Sequence, residues 1–121
     1  MPRVVHFEIS AEEPERALKF YKEVFGWESR KWDGPRPYWL ISTGAADEPG
    51  INGGLFQRGG SINYVNSIDV PSVDEYVARI VEHGGKVVMA KMPIQGVGYL
   101  AYCHDTEGNV FGVMQEDAAA Q

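Results

Sequence analysis

The sequence predicts an α+β fold built from two copies of a strand–helix–three-strand module, and three observations predict it. Apolar residues alternate, then repeat at helical spacing, then alternate again in three short stretches; the second half repeats that order. A shift of 59 residues carries Gly26 onto Gly85, Leu18 onto Val77, Tyr21 onto Ile80 and Ile51 onto Val110. One module of about sixty residues buries only about 60% of the surface its unfolded chain exposes, so two are expected to share a core. The expected organisation is one domain, residues 1–121, with modules at 1–58 and 59–116 and a short tail at 117–121.

Each element has a local reason. Val4–Ser10 alternates as a strand. Glu13-Pro14-Glu15 opens a helix, since proline is tolerated in the first turn and carboxylates suit the positive end of the helix dipole. Ala17, Leu18, Tyr21, Val24 and Phe25 form its apolar stripe, and Gly26 ends it. Strands are expected over Trp27–Trp32, Pro37–Thr43 and Ile51–Gln57, separated by breaks rich in Gly, Pro or Asp. In the second module, Tyr64–Val70 reads as a strand and Ser72-Val73-Asp74-Glu75 has the form of a capping box. Val73, Tyr76, Val77, Ile80 and Val81 make the second stripe before Gly84-Gly85. Strands over Lys86–Lys91, Val97–Cys103 and Asn109–Gln115 complete the pattern.

Composition narrows the function. The chain has 121 residues, 44% hydrophobic and 23% charged, which excludes a disordered or fibrous protein. Seventeen acidic against eleven basic residues, with no basic cluster, argue against a nucleic-acid surface. No run approaches a membrane span, and the start lacks the apolar core of a secretory signal. Cys103 has no partner for a disulfide or a cysteine-built zinc site, so a reducing, cytoplasmic setting is expected.

His6-Phe7-Glu8-Ile9, then Pro14-Glu15-Arg16-Ala17 and Phe20-Tyr21 through Phe25-Gly26-Trp27, resemble the opening strand and helix of the vicinal oxygen chelate superfamily, which includes glyoxalase I, bleomycin-resistance proteins and extradiol dioxygenases. Asn52-Gly53-Gly54-Leu55, Gly84-Gly85-Lys86-Val87-Val88 and Asp105-Thr106-Glu107-Gly108-Asn109-Val110-Phe111 extend the likeness over nearly the whole chain. Thr106 departs from the proline common in relatives. The chain is most similar to the short proteins described as related to lactoylglutathione lyase. The resemblance implies paired modules forming a curved mixed sheet around a cavity, and a homodimer.

The resemblance also implies four positions from which metal-dependent members hold a divalent ion, and here they fall on His6, Gly53, Val65 and Gly112. One imidazole beside two glycines and a valine is no such site, because a divalent ion is normally held by three or more carboxylate or imidazole groups. No resident metal or other cofactor is therefore expected. Strand alternation places His6, Glu8 and Ser10 on one face, and Val65, Ser67 and Asp69 on the matching face of the second module. The glycines are expected to leave space there for a small molecule.

The leading expectation is a metal-independent lyase or isomerase acting on a small oxygenated organic molecule. His6 and Glu8 are its candidate catalytic acid–base groups; Ser67, Asp69 and Tyr99 are its candidate ligand-binding residues. Set against this, Glu8 and Asp69 can simply face water near strand ends. His83 reads as a helix cap, His104 as a loop residue and Cys103 as a small hydrophobe. Two alternatives stay open. One is a non-catalytic sequestering protein of bleomycin-resistance type, whose ligand the acidic balance would make cationic. The other is a metal-dependent lyase or dioxygenase with displaced ligands, drawing on His6 and Glu8 with His104 or Asp69.

Overall fold

The computed structural model describes residues 2–121. Ten elements follow in the order β1 (Arg3–Ala11), α1 (Pro14–Phe25), β2 (Glu28–Lys31), β3 (Tyr38–Ser42), β4 (Gly53–Gln57), β5 (Tyr64–Asp69), α2 (Val73–Glu82), β6 (Lys86–Ile94), β7 (Gly98–His104) and β8 (Val110–Glu116). The chain divides into two compact units, one over His6–Val65 and the other over Asn66–Gln121 together with the chain up to Val5.

In the His6–Val65 unit, β2 pairs with β3 and β3 with β4, both antiparallel, and β4 lies parallel to β1. Pro14 occupies the first turn of α1, and Gly26 closes the helix at φ 76°, in the left-handed region that a side chain disfavours. Ala17, Leu18 and Tyr21 of α1, partly buried, meet one face of this sheet, while Val24 and Phe25 of the expected stripe are exposed. Ile9, Ala11, Ile41 and Leu55 form the core there, packed by Phe7, Leu18, Tyr21, Trp27 and Trp39. Tyr21 stacks on Trp27 with ring centroids 4.9 Å apart, which fixes the chain as it leaves the helix. The alternate residues of each strand therefore face away from α1.

The second unit repeats the plan. β5 lies parallel to β8, and β8–β7 and β7–β6 are antiparallel. The side chain of Ser72 accepts a hydrogen bond from the Glu75 backbone N–H at 3.2 Å, the first half of the capping box the sequence predicts. Gln115 Oε1 accepts from the Val73 N–H at 3.0 Å, tying the start of α2 to β8. Val70, Val73, Ala101 and Val113 form the core, packed by Tyr76, Val77, Ile80 and Tyr99.

Candidate functional site

The chemistry-bearing groups of the first unit lie on the sheet face away from α1. Phe7, Ile9 and Ala11 point into the core, so alternation sends His6, Glu8 and Ser10 to the other face of β1. Glu8 is buried, with 7% of its surface exposed, and so does not lie in water. His6 Nε2 is 2.8 Å from the hydroxyl of Tyr38 on β3. Burial pushes the His6 pKa below its ordinary 6.5, while the neighbouring Glu8 carboxylate pulls the other way. The imidazole is thus neutral at pH 7, beside a buried acid and a phenol.

Tyr38 reaches His6 because Gly54 has no side chain. A Cβ built on Gly54 would run into the Tyr38 hydroxyl and ring carbon. Trp32 braces the same phenol from the β2–β3 connection, edge-on with centroids 5.9 Å apart, and its own ring lies over Gly34. Gly53 is expected from the sequence to leave space for a small molecule. The residue across from Glu8 is instead Gly54, whose space Tyr38 fills, and a Cβ on Gly53 would meet Phe7.

An open cleft of about 360 Å³ adjoins His6. Glu28, Arg30, Leu40, Ser42 and Asn52 line it together with His6. Asn52 is held by its oxygen: Oδ1 accepts from the Thr43 backbone N–H at 2.9 Å and from the Thr43 hydroxyl at 3.4 Å. From the sequence, Arg30 reads as the start of a lip segment running to Pro37, Tyr38 as one of several aromatics on strands of the cavity wall, and Asn52 as part of the Asn52-Gly53-Gly54-Leu55 likeness. Their particular contacts rest on register and on partners far along the chain, which the sequence alone does not specify.

The second unit carries the other expected residues. Ser67 is buried, 2% exposed, and pairs with Gly112 on β8. A Cβ on Gly112 would lie 3.0 Å from Ser67 Oγ and close to Tyr102 and Leu100, so that glycine too is packed around. Asp69 is exposed at the end of β5, as the plainer reading had it. Tyr99 corrects the ligand-binding set. It pairs with Gln115 and packs on the Val70–Val113 core on the α2 side, with the Lys91 ammonium 4.6 Å from its ring centroid. Leu100 and Tyr102 take the opposite face. His83 caps the C-terminus of α2. Cys103 is fully buried, and burial raises its thiol pKa, so it stays protonated and inert.

Among the described residues, no group of three or more His, Cys, Asp and Glu is placed to hold a metal ion. The donor set around His6 does not fit a resident divalent ion: its Nε2 faces a phenol, and the position across from Glu8 is a glycine filled by that phenol. Among the described residues, no helix is long and apolar enough to cross a membrane.

Solved structures share this α+β architecture. A hypothetical protein from Bacillus halodurans C-125 superposes with a TM-score of 0.71 at 14% identity, covering 99% of this chain and 98% of that one. A methylmalonyl-CoA epimerase solved with methylmalonyl-CoA and NH4+ gives 0.69 at 15% identity over 100% and 99%. The methylmalonyl-CoA epimerase of Mycobacterium tuberculosis gives 0.66 at 13% identity over 93% and 87%. At such identities the likeness establishes the fold. No curated protein matches the sequence. A family model for a glyoxalase-like domain, however, matches residues 6–114. The chain belongs to that glyoxalase-like family, within the vicinal oxygen chelate superfamily.

Proposed function

We propose that the protein is a metal-independent isomerase or lyase that moves a proton on a small oxygenated organic molecule. The observation that carries this reading is the buried Glu8 carboxylate beside a neutral His6, which is bonded to Tyr38 and itself lines an open cleft. Glu8 takes the proton from a carbon next to a carbonyl, and the electron pair moves to the carbonyl oxygen as an enolate. In the tautomer where Tyr38 donates to Nε2, His6 Nδ1 keeps its hydrogen and donates to that oxygen. Return of the proton from Glu8 to the same face regenerates the substrate, with hydrogen exchange once the acid has equilibrated with solvent; a proton taken from water on the opposite face gives the isomer, and departure of a β-substituent instead gives a lyase product. Methylmalonyl-CoA epimerases with this fold make the isomerase branch the favoured one.

The reading includes a cytoplasmic homodimer. Cys103 is a buried free thiol, and Phe20 and Phe25 leave apolar surface exposed on α1 that a second copy would cover. Sedimentation at micromolar concentration is expected to give twice the chain mass.

The catalytic reading is tested by deuterium uptake from D2O into 2-oxo and 2-hydroxy acids and their thioesters. The expected result is enzyme-dependent exchange next to the carbonyl of at least one compound, falling roughly 10²- to 10⁴-fold in Glu8→Gln. Exchange that survives Glu8→Gln, or none with any compound, overturns the assignment.

A further inference from the structure

The cleft beside His6 has a charged end that proton transfer does not use. Arg30 stands on β2 opposite Leu40, and Leu40 stands opposite Gly54; the Arg30 side chain therefore shares the face of Gly54, Tyr38 and His6. Arg30 lines the cleft and, among the described residues, makes no ion pair or hydrogen bond. Glu28, two residues earlier, also lines the cleft, but its carboxylate is engaged by Lys22 of α1 at 3.4 Å rather than by Arg30. Asn52 is clamped by its oxygen to Thr43, which turns its amide N–H₂ outward as a donor. Ser42 completes the rim, its hydroxyl donating weakly to the Gly44 carbonyl at 3.4 Å.

We propose that Arg30, with Asn52, is a carboxylate-binding subsite that selects anionic substrates for this cleft. A guanidinium presents a planar fork of donors that matches a carboxylate at two points. An amide donor with its oxygen already engaged adds a third point without a competing acceptor. A small molecule anchored there by its carboxylate places the neighbouring carbonyl carbon on the His6 side of the cleft. The substrate class is then a short carboxylic acid with a carbonyl next to it. Arg30 and Asn52 are positioning residues in this arrangement, and no bond changes at them. The inference deepens the proton-transfer reading, on which its catalytic meaning rests, while the binding itself does not depend on Glu8.

The test is binding of 2-oxobutyrate, with its neutral amide 2-oxobutyramide as control. It is followed by ¹⁵N–¹H shifts of the Asn52 side-chain amide in the full chain. Expected is saturable binding of the acid, at least 10-fold weaker for the amide, and a loss of at least 10-fold in Arg30→Gln. Arg30→Lys, which keeps the charge and loses the fork, is expected to fall between. In Glu8→Gln the acid is expected to bind as tightly as in the unaltered protein while deuterium exchange at C3 is lost. Equal binding of acid and amide, binding unchanged in Arg30→Gln, or no saturable binding overturns the subsite. Arg30-dependent binding with no exchange in the unaltered protein upholds the subsite and overturns the catalytic reading instead.

Discussion

The two units share a strand order and a helix placement, yet their faces away from the helices differ in chemistry. In the first, Gly54 admits the Tyr38 phenol, which meets His6 beside the buried Glu8. In the second, the matching glycine, Gly112, is surrounded by Ser67, Leu100 and Tyr102, and β5 carries Val65 at the register position that His6 holds on β1. The first face joins an imidazole, a carboxylate and a phenol; around Gly112 the second has a serine hydroxyl and a phenol but neither an imidazole nor a carboxylate. A glycine at a sheet position therefore marks either space for a ligand or a seat for another side chain, and here both glycines are seats. The duplicated scaffold places the His6, Glu8 and Tyr38 cluster in one copy.

The largest stability difference should separate those two glycines. Gly54→Ala forces Tyr38 off its seat and is expected to destabilise by roughly 1–3 kcal/mol, the usual range for overpacking. Gly112→Ala meets Ser67 Oγ at 3.0 Å, which a small hydroxyl rotation relieves, so about 1 kcal/mol or less is expected. Urea unfolding of both variants measures this. In a Tyr38→Ala background the cost of Gly54→Ala should vanish, because the clash is with that side chain; a cost that persists would place the strain elsewhere.

Next come two contacts. Tyr38→Phe removes the 2.8 Å bond to His6 and should cost about 1 kcal/mol in unfolding free energy. Ser72→Ala removes the side-chain cap of α2, again about 1 kcal/mol. By contrast, α1 begins at Glu13 with no side-chain cap bond, so Glu13→Ala should change stability by less than about 0.5 kcal/mol.

The smallest effect is on pH dependence. His6 has a lowered pKa in the folded chain, so the unfolded chain takes up its proton first as pH falls. The neutral imidazole's advantage is complete above about 6.5. It is lost as pH falls from there towards the lower folded value, with no further change below it. His6→Gln should flatten the stability curve over that window, leaving other pH ranges unaltered.

Much of the fold was legible in the sequence because local signals fixed it. Pro14, Gly26 and the Ser72 capping box bounded the helices within a residue or two, and alternation located all eight strands. The shift of 59 holds for the first strand of each module, where Glu8 and Ser67 each face a glycine. It slips later, because the connections between strands differ in length. Gly54 corresponds to Gly112, and Leu40 to Tyr102, by their pairing. A slip by an odd number of residues reverses a strand's faces, and β7 slips by three relative to the shift of 59, which is why Tyr99 read as a cavity residue while it packs against α2. His6 and Glu8 were legible as a pair on one strand. The Tyr38 contact was not, because it joins positions 32 residues apart through a space that only the folded register reveals.

The central claim is that His6 is a neutral imidazole coupled to a buried carboxylate, and NMR titration of the His6 ring tests it most directly. The expected result is a His6 pKa below 6.5 in the unaltered protein, falling further in Glu8→Gln as the carboxylate's pull is removed. A His6 pKa at or above 6.5, or one that Glu8→Gln leaves in place, would contradict the account.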